Sequence, residues 1–279
     1  MRTFHLIMNN ELKQQFPQWV TENEKGRYSL CMSDDLDSFM SCFILNQLFG
    51  YDITYFYSFT GIYQSTHVTK KEVIGVDTAL ENGKCWDNHV TRINSDSIVN
   101  PQAANLNNIQ MIHSGNYANK YSGSTLLQIM SYYEIPLPTN KEMLMVLLAI
   151  DSSYLGHYSN NDYFAMIHHQ MMNSLGYEHI NVFLDTVTKT DFNRINQTYN
   201  LKDKITVDQN GYLQTHIKLK ELSLLFNKDF VLPTDCFIHK YALDNKITRI
   251  NQDTPKPETG IFSLALTAKD KCKYSRLME

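Results

Sequence analysis

A short apolar run followed at once by a helical pattern is the feature that most limits how this chain can fold. Residues 28–32 read Tyr-Ser-Leu-Cys-Met, and from Leu36 to Phe49 apolar side chains recur three or four positions apart until Gly50. This spacing predicts a strand, a turn and a helix that ends at the glycine. Residues 52–58 are rich in β-branched and aromatic side chains, and 73–76 are wholly apolar, as in a strand buried on both faces. Strands that alternate with helices predict an α/β fold with a parallel sheet.

Three further helices are predicted after residue 120, and the sequence pattern then changes at about residue 189. Helices are predicted over 125–133, over 139–150 with Thr139 as N-cap and Glu142 completing a capping box, and over 162–175. After about residue 189, short alternating patterns at 212–217 and 260–266 indicate strands of a smaller α+β unit. We therefore predict an N-terminal parallel-sheet domain (1–188), a linker (189–204) and a small C-terminal domain (205–279).

Composition excludes several classes of protein. No run of about 18 apolar residues is present, so no transmembrane helix is expected, and the first residues do not resemble a secretory signal. The five cysteines are widely spaced without a CxxC pair, which is typical of reduced thiols, and a cytoplasmic protein is expected. A net charge of -4 argues against coating nucleic acid by bulk electrostatics. Near the C-terminus, Lys269, Lys273 and Arg276 are candidate phosphate contacts, with a solvated surface as the alternative.

Carboxylates stand where the predicted strands and one helix end. Asp35 and Asp37 follow the first strand, Asp77 follows residues 73–76, and Asp151 follows an apolar helix. Ligands of a parallel sheet collect at the carboxyl ends of its strands, so these side chains can converge. Like charges crowded together are unfavourable unless a cation or a proton relieves them. Each residue alone has an alternative, since Asp35 could be a helix cap and Asp77 a turn residue.

A histidine completes the candidate site. His89 lies in the tetrapeptide Asp-Asn-His-Val at 87–90, and it could equally be an ordinary surface or core histidine. Carboxylate oxygens with one imidazole suit Mn²⁺ or Mg²⁺ better than structural zinc. Two such ions can clamp a phosphodiester and activate water, so the set predicts hydrolysis of a phosphoester. The catalytic and metal-binding candidates are Asp35, Asp37, Asp77, His89 and Asp151.

The order of these motifs resembles the DHH phosphoesterase superfamily, which includes RecJ-like exonucleases, nano-RNases, cyclic-dinucleotide hydrolases and pyrophosphatases. The resemblance covers about residues 28–155. The run Ser-Asp-Asp-Leu-Asp-Ser-Phe-Met-Ser at 33–41 is similar to the first motif, Val76-Asp77 to the second and Asp151-Ser152 to the fourth. It implies that Asp35 and Asp37 bind metal, that Asp77 bridges two ions, and that the protein is a Mn²⁺- or Mg²⁺-dependent phosphodiesterase acting on short oligonucleotides or nucleotide signals.

Two departures from the family stand out. The third motif has Asn88 where the family has histidine, and no Gly-Gly-Gly-His type loop is found. An amide can hold water or a phosphate oxygen but cannot serve as acid or base. Asn88 is therefore a substrate-binding candidate, and the alternative function is a catalytically impaired DHH-like protein that binds a nucleotide or a partner protein.

The remaining histidines are weaker candidates. His157 could contact phosphate or be an outer ligand, with an exposed loop histidine as the alternative. His168 and His169 are adjacent on a predicted helix and point in different directions, so we do not expect them to share a metal. The expected partner is short single-stranded nucleic acid or a small nucleotide, not a membrane, and a homodimer is a further expectation.

Overall fold

The computed structural model describes residues 8–251, 253–257 and 259–278, and these form a mixed α/β fold. A nine-stranded sheet has the order β10-β11-β9-β3-β2-β1-β4-β5-β6, and a separate two-stranded sheet pairs β7 with β8. The strands are β1 (Tyr28–Met32), β2 (Asp52–Ser58), β3 (Gly61–Ser65), β4 (Glu72–Val76), β5 (Cys85–Trp86), β6 (Ala103–Ala104), β7 (Ile205–Val207), β8 (Leu213–Thr215), β9 (Phe237–Arg249), β10 (Ile261–Ala268) and β11 (Lys271–Leu277).

Nine α-helices are found in the same described residues. They are α1 (Asn10–Lys13), α2 (Leu36–Phe49), α3 (Leu106–Ile109), α4 (Thr125–Tyr132), α5 (Lys141–Ala149), α6 (Asp162–Ser174), α7 (Glu178–Leu184), α8 (Lys189–Tyr199) and α9 (Leu219–Phe226). Helix α2 ends as its sequence predicts, because Gly50 takes the left-handed conformation with φ 66° and its N–H bonds back to Asn46. Within this part of the chain, no helix combines the length and the apolar character needed to cross a bilayer.

The parallel part of the sheet comprises β2, β1, β4, β5 and β6. Met32 pairs with Val76 and Val76 with Trp86, so β1, β4 and β5 end at the same edge. On one face of β1, Tyr28, Leu30 and Met32 are buried in a cluster shared with α2, α4 and α5. On the other face, Cys31 packs against Tyr57, Ile62 and Leu243. The central strands are thus covered on both faces, which explains their nearly continuous apolar sequences.

The C-terminal strands extend the same sheet. Strand β9 pairs antiparallel with β3, and β10 returns beside the segment after β4, where Leu264 N–H donates to the Ala79 carbonyl. The sheet therefore curls, and Tyr57 on β2 makes a hydroxyl contact of 3.1 Å with Ser263 on β10. The division into domains 1–188 and 205–279 stays a prediction, but a single sheet runs through both.

Two local features differ from what the sequence suggests. The predicted linker 189–204 contains helix α8, which begins with a capping box between Thr188 and Asp191 and buries Phe192. Helix α5 is capped by Asn140, whose side chain accepts from Glu142 N and Met143 N, and not by Thr139. Both residues are good N-caps, and the cap is taken by the one directly before Lys141, where the helix begins.

Candidate metal centre

Three carboxylates meet at the carboxyl edge of the parallel strands. Asp37 lies in the first turn of α2 after β1, Asp77 directly follows β4, and Asp151 follows the end of α5. One carboxylate oxygen from each lies within 4.8 Å of the other two. The structure thus brings together three of the five predicted ligands in one cluster.

Asp37 is held by the N-terminus of helix α4. Its carboxylate accepts hydrogen bonds from Thr125 N (2.7 Å) and Leu126 N (2.8 Å), and the residue is 1% exposed. These N–H groups have no partner within the helix, and the helix dipole favours a negative charge there. Burial, and then the charges of Asp77 and Asp151, nevertheless raise the pKa of Asp37 well above its ordinary range.

Asp77 is fixed by backbone and side-chain contacts. Its φ is 55°, a left-handed conformation that is uncommon outside glycine, although aspartate adopts it more readily than most residues. Thr125 Oγ1 donates to its carboxylate at 2.9 Å, and its own N–H donates to the Trp86 carbonyl at 2.8 Å. Burial, followed by the charge of Asp35, raises the pKa of Asp77 well above its ordinary range.

Asp77 also belongs to a second cluster. One ligand atom each from Asp77, Asp87 and His89 lies within 4.8 Å of the others. Asp87 is fully buried, accepts from Asn105 Nδ2 at 2.7 Å, and lies 2.7 Å from His89 Nδ1. A hydrogen bond from Nδ1–H to this carboxylate leaves Nε2 of His89 as the nitrogen that can bind metal. Asp77 is therefore common to two adjacent sets of ligand atoms.

The charges around His89 favour its protonated form. Burial lowers its pKa, but the neighbouring Asp87, Asp77 and Asp151 more than offset this and raise it to about 10. Without a metal, the imidazolium is a positive charge that compensates the carboxylates. A divalent ion would take over this compensation and release the proton.

Asp151 occupies a strained turn at the mouth of the cleft. Both it and Ser152 have positive φ, 51° and 56°, directly after helix α5. Asn88 Nδ2 donates to its carboxylate at 3.1 Å and to the Gly123 carbonyl at 2.6 Å. The surrounding protein atoms remove water from the carboxylate of Asp151, and this loss of hydration, together with the charge of Asp35, raises its pKa. Asn88 was predicted to contact substrate, and the structure places it where it orients Asp151.

Asp35 has a different environment. It caps helix α2, accepting from Ser38 N at 3.3 Å, and forms an ion pair of 3.2 Å with Lys204. The sequence alternative of a helix cap is thus observed for this residue. Lys204 also pairs with Asp34 at 2.8 Å, and Lys204 and Asp35 border a cleft of about 340 Å³ that Asp37 and Asp151 also line. The cleft is lined by Asp35, Leu36, Asp37, Ala149, Ile150, Asp151, Ser152, Leu201, Lys202 and Lys204.

The donor set fits a hard divalent cation. Within residues 8–251, 253–257 and 259–278, no Lys or Arg side chain forms an ion pair with Asp37, Asp77 or Asp151. Crowded carboxylates of this kind are strongly unfavourable unless protons, such as the one on His89, or a metal offset their charge. Oxygen ligands with one imidazole suit Mg²⁺ or Mn²⁺.

The other predicted substrate contacts are more dispersed. Lys269 lies exposed in the turn between β10 and β11, and Arg276 lies over the Tyr274 ring at 5.4 Å. Lys273 Nζ lies 3.1 Å from the centroid of the Phe59 ring. Burial lowers the pKa of Lys273, and the charge of Asp34 partly offsets this effect.

His157 contacts His169 and Asp185, which do not belong to the carboxylate site. Its Nδ1 lies 3.0 Å from His169 Nε2, and its Nε2 lies 3.3 Å from Asp185. Its prediction as a phosphate contact therefore gains no support from its neighbours.

Several residues of the candidate site were not predicted from the sequence. Asp87 follows β5 as Asp77 follows β4, so the strand-end rule could have identified it. Lys202 and Lys204 lie in the segment predicted to be a linker, where a lysine in the sequence does not indicate a binding site. The N–H groups of Thr125 and Leu126 act through the backbone, although Ser124 as N-cap marks the start of their helix.

Comparison of the chain with protein-family models, with curated proteins and with solved structures finds no match. The resemblance to the DHH superfamily thus depends on the four motifs and on nothing beyond them.

Proposed function

We propose that the protein is a metal-dependent phosphodiesterase that hydrolyses short oligonucleotides or nucleotide signals with two Mn²⁺ or Mg²⁺ ions. The observation that carries the proposal is that Asp77 belongs to two clusters of ligand atoms, one with Asp37 and Asp151 and one with Asp87 and His89. A carboxylate shared by two adjacent cation sites is the arrangement expected of a two-ion hydrolase.

The chain's own residues have distinct roles in this proposal. Asp37, Asp77 and Asp151 hold one ion, and Asp77 with His89 holds the second. Asp87 orients the His89 ring, and Asn88 orients Asp151. Bound ions of this class withdraw charge from phosphoryl oxygens and make water a better nucleophile. Asp35 can join the ligands only when its carboxylate leaves Lys204.

Positive charge at the cleft supports a phosphate-bearing substrate. Lys202 and Lys204 line the wall beside the carboxylates. When a phosphodiester enters, Lys204 can exchange a carboxylate partner for a phosphoryl oxygen, a charge-assisted bond of the same kind. The cleft of about 340 Å³ lies at the small end of ligand sites, which favours a single nucleotide unit over a duplex.

Release of mononucleotide from a short single-stranded oligonucleotide tests the proposal. Chromatography should show product with Mn²⁺ and none with EDTA. Asp37→Asn and the exposed Asp151→Asn should both abolish turnover, because each removes an anionic ligand. Asp229→Asn, an exposed aspartate on the loop after α9, is the matched control and should retain full turnover. Metal-independent product release, or normal turnover in both ligand variants, would contradict the proposal.

A second candidate function is supported by Asn88. Its amide nitrogen donates hydrogen bonds to the Asp151 carboxylate and the Gly123 carbonyl. The resembled family has an imidazole at this position of the motif. A site with one ligand fewer could bind a nucleotide or a partner protein without hydrolysing it. Calorimetric titration with Mn²⁺ separates the two candidates, since the hydrolase should bind two ions and the binding protein one or none.

A further inference from the structure

Three histidines form a compact cluster away from the carboxylates. His157 lies on the loop after Asp151, while His168 and His169 are adjacent on α6. Their ring centroids are 5.1 Å (157–169), 5.9 Å (168–169) and 6.2 Å (157–168) apart. One ring nitrogen from each lies within 4.8 Å of the other two. His168 and His169 were not expected to share a metal, but the loop brings His157 close to both rings, so the three ring nitrogens lie near enough to bind one ion.

In two of these histidines, Nε2 already contacts an oxygen atom of the protein. His168 Nε2 lies 2.8 Å from the Ser153 carbonyl, and His157 Nε2 lies 3.3 Å from the Asp185 carboxylate. Such contacts to a carbonyl or carboxylate orient metal-binding histidines and fix the tautomer that leaves the other nitrogen free.

The remaining ring nitrogen of His168, Nδ1, is the second, independent observation. His168 is 4% exposed, and its Nδ1 has no hydrogen-bond partner in the part of the chain that the structure describes. A buried ring nitrogen without a partner is unfavourable and requires an explanation. The ring is tightly placed, since a Cβ on Gly156 would come within 2.7 Å of His168 Cβ.

We propose that His157, His168 and His169 form a zinc site, with Nδ1 of His157, Nδ1 of His168 and Nε2 of His169 as ligands. Three imidazoles are a nitrogen-only donor set that suits zinc and disfavours Mg²⁺ and Mn²⁺. Three protein ligands leave one position for water or another ligand. The site differs in donor chemistry from the carboxylate cleft, so the two can select different metals.

The zinc site anchors the loop that carries Asp151. Ser153, whose carbonyl faces His168, also accepts from Ser124 N at 3.0 Å through its hydroxyl, which in turn donates to the Ile150 carbonyl at 2.9 Å. These bonds join the histidines, the strained turn at 151–152 and the start of α4. Zinc binding is expected to rigidify that turn without direct contact with substrate.

Zinc titration on the full chain tests the proposal, with a large excess of Mg²⁺ added to compete with zinc at the carboxylates. Calorimetry should show one zinc per chain, and Co²⁺ should give the visible absorption of a tetrahedral nitrogen site. Asp185→Asn removes a hydrogen bond to a ligand and should reduce zinc affinity by roughly 10–100-fold. His169→Gln removes a ligand and should reduce zinc affinity by more than this. His179→Gln, a nearby exposed histidine on α7, is the control and should bind zinc as the parent does.

The outcome that overturns the site is equally direct. The 3.0 Å contact between His157 and His169 can also be a hydrogen bond between two rings, which needs no metal. In that case the parent protein takes up no zinc in excess Mg²⁺, or His169→Gln binds it unchanged. Because Mn²⁺-dependent turnover is not the readout, the result is independent of the proposed phosphodiesterase activity.

Discussion

The Thr125 hydroxyl should stabilise the shared carboxylate of Asp77, and Thr125→Val removes it. Valine has nearly the shape of threonine, and Thr125 is fully buried at the first position of α4. The backbone N–H of residue 125 still donates to Asp37 in the variant. The substitution therefore isolates one contact, the 2.9 Å hydrogen bond from Oγ1 to Asp77.

The size of the effect follows from what remains around Asp77. The other side-chain donor to its carboxylate is Ser33 Oγ at 3.5 Å, a distance too long to compensate. A hydrogen bond to a charged group contributes about 1.5–3 kcal/mol, so the free energy of unfolding should fall by about that amount. Thr125→Ser keeps the hydroxyl and loses one methyl group, which should reduce the free energy of unfolding by about 0.8 kcal/mol or somewhat more.

Urea unfolding of the metal-free protein, followed by tryptophan fluorescence, measures both variants. The two tryptophans, Trp19 and Trp86, are buried and should report the transition. The hydrogen bond favours ionised Asp77, so the valine variant has a still higher Asp77 pKa and loses more stability as pH rises through it. The serine penalty should not depend on pH. Equal, pH-independent penalties would refute the role given to this hydroxyl.

Three further predictions concern the charges of the site. Without metal, the melting temperature should fall between pH 6.5 and about 10, because His89 has a pKa raised to about 10 and loses its stabilising proton over this range. The ionised carboxylates of Asp37 and Asp77 then repel each other, and Mg²⁺ should reduce the fall. A metal-free melting temperature that rises over this range would contradict these charge interactions. Asn88→His should tighten binding of the second Mn²⁺ in calorimetry by adding an imidazole ligand, whereas unchanged affinity would show that residue 88 acts only through its contact with Asp151. Lys204→Gln should raise KM for an oligonucleotide about tenfold or more by removing a charge-assisted phosphate contact, and a KM equal to that of the parent would exclude this contact.

Local sequence patterns identified the elements that carry most of the site. The periodicity of residues 36–49 predicted α2, the apolar runs predicted β1 and β4, and the strand-end rule led to Asp77. These succeed because each pattern reflects burial within one element. Helix α8 was missed although Phe192, Ile195 and Tyr199 recur at helical spacing, because the polar residues between them suggested a linker.

Long-range pairing is what the sequence could not provide. Strand β9 has 13 residues, most of them exposed, so it lacks the alternation that marks a half-buried strand. Its pairing with β3 joins positions far apart in the chain, and no local pattern specifies that register. For the same reason Lys204 could not be assigned to the cleft, and the three histidines could not be recognised as neighbours.

Anomalous diffraction at the manganese edge, from crystals grown with Mn²⁺, would locate the ions. Two peaks about 3.5–4 Å apart should share the carboxylate of Asp77, one beside Asp37 and Asp151 and the other beside His89. A single peak, or peaks that do not contact Asp77, would rule out a two-ion centre that shares this carboxylate.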